Sequence, residues 1–180
     1  MEAIEMIKTR RSVRRFTEDK VSRETIEAII DNARMAPSWK NTQTVRYLIV
    51  EDKDKIAKIA SDCVLGFEFN TKTLSKCDTV VLITQKNGIC GYEKDGSFST
   101  SKEKGWEMFD AGVAAQTFCL AAWEKGVGSC IMGVFDEEKL AKLVDLPEGM
   151  SIAAMIPIGY PKFNPEPTPR KEVADLVSYV

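Results

Sequence analysis

A chain of 180 residues with net charge -2 and 29% charged residues is sized for one domain with a substantial core. Its pI near 5.4 leaves too small a basic footprint for nucleic acid. No apolar run opens the chain, and the most apolar stretch, Ala111 to Leu120, is too short to span a bilayer and contains Gln116 and Thr117, so a cytoplasmic protein is expected.

Glu2 to Thr9 reads as a short helix, with Ala3, Ile4, Met6 and Ile7 apolar. A basic segment follows: Arg10, Arg11, Ser12, Arg14 and Arg15, ending on Phe16. In extended backbone Arg10, Ser12 and Arg14 share one face, and two guanidinium forks beside a hydroxyl suit a phosphate and an adjoining polyol. Ser22 is placed as an N-cap of a helix running to about Met35, with Ile26, Ile29, Ile30 and Ala33 on one face and Pro37 as its stop. The loop Ser38 to Gln43 carries Trp39, Lys40, Asn41 and Gln43; its paired amides suit the edge of a heteroaromatic ring.

Val45 to Glu51 reads as a strand and Lys53 to Ala60 as a helix, while Val64 to Leu74 fits neither period. The apolar run Thr79 to Thr84 has the character of a buried strand. Residues 86 to 101, rich in Gly, Ser, Asn and Lys, form the longest irregular segment and have the length of a lid. Glu107 to Lys125 is a helix apolar on nearly every side, ended by Gly126 and Gly128. A domain of this size rarely covers such a helix alone, which points to a large interface in an obligate homodimer. A short strand over Val127 to Met132, closing on Gly133, precedes a helix capped by Asp136 and a last buried strand, Ser151 to Ile158. The proline-rich tail carries Arg170. No internal repeat or second domain is visible, so residues 1–180 read as one α/β or α+β domain.

The chain has no histidine, which excludes Ser-His-Asp and Cys-His catalysis and the common His-based metal sites; no metal is expected. Its five cysteines are an odd number without a C-x-x-C pair, so neither a disulfide framework nor a zinc ribbon is indicated. Chemistry in such a chain falls to a bound cofactor, and no residue stands out as a catalytic acid or base.

Taken in order, these segments resemble the FMN-dependent nitroreductase superfamily over nearly the whole chain. The matching residues are Arg10 to Phe16; Ala36-Pro37-Ser38 with Asn41 and Gln43; Asp110-Ala111-Gly112 with Ala114-Ala115-Gln116; Gly126 to Cys130; Gly133; and Pro157-Ile158-Gly159 with Arg170. The resemblance implies an α+β fold with a central mixed sheet flanked by helices, in an interlocked homodimer with two FMN sites. It further implies that Arg10, Arg11, Ser12 and Arg14 meet the phosphate and ribityl chain, with Arg170 completing the clamp. Pro37, Ser38, Asn41 and Gln43 would approach the flavin from the second subunit. Met132 and Gly133 would face its N5 edge and Asn70 its pyrimidine edge.

The implied activity is a ping-pong NAD(P)H oxidoreductase, the flavin N5 carrying hydride from NADH or NADPH to a nitroaromatic or quinone-type acceptor. A phosphate clamp without a glycine-rich dinucleotide fingerprint favours FMN over FAD. Lys40 and Lys72 are the two candidates for a cation near the flavin N1. Departures from the family pattern are Thr44 and Val45 after Gln43, where Pro-Trp is usual, and Trp39 with Lys40 at positions often small. Trp39 and Lys40 are therefore expected at the substrate mouth. Two alternatives stay open: a non-catalytic FMN-binding or storage protein, and a specialised flavin enzyme of the dehalogenase, dehydrogenase or ring-cleavage type.

Overall fold

The computed structural model describes residues 2–180. Four strands form one sheet in the order β1-β2-β4-β3. β1 is Val45–Val50, β2 Thr79–Lys86, β3 Gly128–Ser129 and β4 Met150–Gly159. All pairings between these strands are antiparallel. The expected mixed character is confined to one isolated parallel bridge, Ser12 with Ser129.

β2 is buried along nearly its whole length because both of its faces are covered. Its alternating side chains divide the core in two. Val80 and Leu82 join Met155, Ile56, Ile59 and Leu140 on one side. Val81 and Ile83 join Ile156, Ile29, Ala115 and Phe118 on the other. The first layer is built from α3 (Lys53–Lys58), a π-helical turn (Ile59–Cys63) and α6 (Glu137–Leu143). The second is built from α2 (Arg23–Ala33) and α5 (Gly105–Glu124). Two further helices, α1 (Ala3–Thr9) and α4 (Glu68–Leu74), complete the set.

Caps set the helix starts. The side chain of Ser22 accepts from Thr25 N, that of Asp52 from Asp54 N and Lys55 N, and that of Asp136 from Lys139 N. α2 ends at Ala33 rather than Met35, since Met35 N and Ala36 N donate to Asn32 O and Ala33 O in tighter turns before Pro37. The helix expected to stop at Ala60 continues to Cys63, but wound wider. Gly126, at φ 72°, closes α5 as expected. Gly128 instead lies in β3, where a Cβ would come within 2.7 Å of Val13.

Two features bear on function. Residues 87–101 form no helix or strand, as expected, but they are tied together as a hairpin by one isolated bridge and turn bonds: Tyr92 bridges Phe98, Glu93 N donates to Ser97 O at 2.8 Å and Ser99 N to Gly91 O at 2.9 Å. This hairpin docks on α5, where Trp106 Nε1 donates to Thr100 Oγ1 at 2.8 Å. α5 itself is covered on one face only. Ala111, Ala114, Ala115, Phe118 and Ala122 are buried, while Met108 and Phe109 stay 56% and 60% exposed and Gly112 and Gln116 open beside them.

Candidate functional site

The basic segment is fastened by its backbone. Val13 N donates to Ser129 O, Thr17 N to Tyr160 O and Lys162 N to Arg15 O, each within 3.0 Å. Val13 and Phe16 point inward and are buried. Their seats are Gly128 and Gly159, where a Cβ would meet Val13 or the Phe16 ring at 2.8 Å or closer. Ser12 and Arg14, on either side of Val13, face away from it; Arg14 and Arg15 are both exposed, so the strict alternation is broken before Phe16.

Next to this segment lies a cavity of about 440 Å³ lined by Arg14, Phe67, Phe69, Asn70, Cys130, Ile131, Met132, Gly133 and Val134. Four expected residues from three distant stretches thus meet: Arg14, Asn70, Met132 and Gly133. Met132 is held by reciprocal backbone bonds with Met155, at 2.8 and 3.0 Å. Asn70 is buried and donates from Nδ2 to Val134 O at 3.1 Å. Arg10 faces Cys119 and Cys130 electrostatically, and its Nε is buried without a partner. Arg11 donates from NH1 to Lys8 O and Arg10 O at 2.8 and 3.0 Å, capping the end of α1.

The loop after α2 lies elsewhere on the chain. Pro37, Ser38 and Gln43 line a smaller cavity of about 130 Å³ with Arg46 and Asp110. Lys40, Asn41 and Gln43 all have left-handed backbone, at φ 44°, 55° and 50°. Gln43 N donates to Ser38 Oγ at 3.0 Å, closing the loop on itself. Trp39 packs its ring 4.5 Å from that of Trp106, and Lys40 pairs with Glu93 at 3.2 Å. Asn41 and Gln43 remain exposed. Lys72, the other candidate cation, pairs with Glu68 at 2.7 Å.

Within one chain, then, the residues form two groups that share no cavity. Arg170 joins neither: it is exposed and, among the described residues, bonds to Thr168 and Pro169 in its own tail. Phe67, Phe69, Cys130, Ile131 and Val134 were not singled out from the sequence as site residues. Two aromatics just before Asn70 were the available signal for the first pair. The five cysteines are free and buried. Burial pushes up the thiols of Cys63, Cys77, Cys90, Cys119 and Cys130, to about 12 at Cys77 and Cys90, so thiolate chemistry is disfavoured.

The first group fits flavin mononucleotide. Of the expected phosphate donors only Arg14 lines this cavity, and no carboxylate does; Ser12 lies with Arg14 in an adjoining cavity of about 190 Å³ beside Phe163. A Cβ on Gly133 would meet nothing within 4 Å, so its backbone opens on space a planar ring could fill. The volume lies within the roughly 300–1,000 Å³ usual for small-ligand clefts.

The chain belongs to the nitroreductase family: the Nitroreductase family model matches residues 7–160. It is 29% identical over 190 residues to an iodotyrosine deiodinase of Thermotoga neapolitana, covering 94% of each chain. An FMN reductase (NAD(P)H) of Bacillus subtilis is 26% identical over 178 residues, covering 94% of this chain and 70% of that one. The solved structure of a nitroreductase family protein from Clostridium novyi NT superposes with a TM-score of 0.77 at 27% identity, over 90% of this chain and 86% of the other. No helix among the described residues is long and apolar enough to cross a membrane.

Proposed function

We propose that the protein is an FMN-dependent oxidoreductase that takes electrons from NADH or NADPH and passes them to a nitroaromatic or quinone-type acceptor, working as a homodimer. The observation that carries this reading is the cavity joining Arg14, Asn70, Met132 and Gly133, beside the unpartnered Arg10 Nε. The match to an FMN reductase that uses NAD(P)H supports the same cofactor and donor.

When bound, FMN supplies hydride acceptance from NAD(P)H and electron delivery to an acceptor on the same ring face. The chain's own residues bind and orient it. Arg10, Ser12 and Arg14 hold the phosphate end. The Met132–Gly133 backbone approaches the ring without a side chain between, and Asn70 offers an amide to the ring edge. Nothing among the cavity-lining side chains is a carboxylate or an imidazole, so protons come from water rather than from a dedicated acid.

The second group, Pro37 to Gln43, completes the site from the other subunit. Both the separation of the two groups within one chain and the open α5 face of Met108, Phe109, Gly112 and Gln116 support a dimer. Arg170, in an exposed tail, closes the phosphate clamp once that tail is placed by assembly.

The test is the purified protein's released cofactor, followed by NAD(P)H oxidation with added acceptors. FMN release and acceptor-dependent turnover are expected. FAD, or FMN without turnover, would overturn the oxidoreductase reading and, in the second case, favour a storage protein. A second reading, reductive dehalogenation, is favoured by the end-to-end match to an iodotyrosine deiodinase. Release of iodide from an iodotyrosine, faster than reduction of a nitroaromatic, would select it.

A further inference from the structure

We propose that Asp110 is a positioning residue for the cofactor, holding the strained loop 38–43 in the shape that presents Asn41 and Gln43; this rests on the FMN-binding reading above. Lys40, Asn41 and Gln43 all adopt φ between 44° and 55°. Asparagine tolerates that region, whereas lysine and glutamine do so at a cost that the surroundings must offset. Packing supports the loop at Trp39, whose ring lies 4.5 Å from that of Trp106, but not around its remaining residues. Cavities of about 130 and 210 Å³ lie against the loop, and Pro37, Ser38 and Asp110 stand in the walls of both.

Hydrogen bonding tells where the support comes from. Gln43 N to Ser38 Oγ, Asn41 N to Ser38 O and Thr42 N to Trp39 O are all internal to the loop. Arg46 NH1 to Gln43 O is nearly so. The Lys40–Glu93 pair reaches outside but is exposed. Trp39 N to Asp110 Oδ2, at 2.9 Å, is the bond that ties the loop to the core.

Asp110 is only 3% exposed and, among the described residues, makes no ion pair. A carboxyl so buried is uncommon without a cation. Here its Oδ2 accepts from the Trp39 backbone and from Cys90 Sγ, at 3.1 Å. Burial first, and then Asp110 itself, pushes the Cys90 thiol up to about 12, so it remains a donor. Helix, loop and hairpin are thus joined at one oxygen.

Glu107 provides a built-in control. It is also buried on α5, one turn earlier, and accepts from Gly88 N at 2.8 Å, so it ties down the hairpin's approach without touching the loop. A merely structural carboxylate would behave like Glu107.

The experiment titrates FMN into apo protein and reads flavin fluorescence, with thermal unfolding of the apo forms in parallel. Asp110→Ala should weaken FMN about tenfold or more, the scale of one lost buried hydrogen bond. Asp110→Asn keeps an oxygen for Trp39 N and should stay within about threefold of wild type. Cys90→Ala, which removes only the thiol, should also stay close. Glu107→Ala should lower the unfolding temperature with FMN affinity unchanged. Should the alanine variant not fold, Asp110→Ser, whose hydroxyl is shorter, takes its place with the same expected weakening. Wild-type affinity in the Asp110→Ala or Asp110→Ser protein would overturn the proposal, as would equal losses of affinity in Asp110→Ala and Glu107→Ala. Failure of the wild-type protein to bind FMN would instead overturn the cofactor reading beneath it.

Discussion

Residues 12–17 and residues 38–43 both carry polar groups expected at the cofactor, yet the first segment is fixed by its backbone and the second by side chains. The first is threaded between β3 and the chain after β4, with Gly128 and Gly159 making room for Val13 and Phe16. None of its residues has left-handed backbone, and Arg14 and Arg15 project outward between the buried Val13 and Phe16. The second curls through three left-handed residues and rests on Asp110 and Trp106, on a helix about seventy residues further along. A cofactor's phosphate needs charge at a fixed place, which a sheet edge provides cheaply. Recognition of a ring edge, the role proposed for Asn41 and Gln43, needs amides aimed in particular directions, which strained backbone held from outside would supply.

The comparison breaks most directly if the two halves never meet. Gly112 sits on the open face of α5, where a Cβ would find nothing within 4 Å. Gly112→Arg should therefore fold as a single chain but fail to pair. Sedimentation should show a monomer, with FMN affinity down by more than ~100-fold because half the site is gone. Undiminished affinity in that monomer would mean that the first half suffices.

A smaller loss is expected from the sheet-edge half. Arg14→Ala, or Arg10→Ala, removes charge-assisted donors and should weaken FMN roughly ten- to a hundredfold. Turnover at saturating FMN should recover, since neither residue is assigned to the reacting atoms. Next is Gly128→Ala, which keeps every polar group but crowds Val13. It should cost ~1–3 kcal/mol in denaturant unfolding and carry a several-fold loss of FMN affinity with it. Smallest should be Glu93→Gln, which frees Lys40 from an exposed pair and should move FMN affinity by no more than about threefold. Glu93 is held below the usual carboxylate range by Ser99 and then by Lys40. The pair is thus fully present above that range and is lost as pH falls through the lowered value. Acidification should then reproduce the small Glu93→Gln effect.

How much of this was legible in the sequence follows from the same contrast. The buried run of β2 and the caps Ser22 and Asp136 are local patterns, and the structure has each of them; the face expected of Arg10, Ser12 and Arg14 is only partly gathered, with Ser12 and Arg14 lining one cavity that Arg10 does not. Gly128 was read as a helix end and Gly159 only as part of a family match; their role in seating Val13 and Phe16 is tertiary and leaves no local mark. The hairpin at 92–98 was hidden because its glycines and charges read as loop, while its order comes from Trp106 and the buried carboxylates of α5. The helix α5 looked apolar all round because it must satisfy two surroundings. One is the core of its own chain, and the other is the surface that Met108 and Phe109 leave open. Arg170 was matched by order alone, and one chain does not bring it to the site.

The central claim is that FMN is held between two copies of this chain. Sedimentation velocity followed at the flavin's own absorbance, on apo protein reloaded with FMN, tests it most directly. The account predicts that all bound flavin sediments with a dimer, at one FMN per chain. Flavin sedimenting with a monomer, or dimeric protein that takes up none, would contradict it.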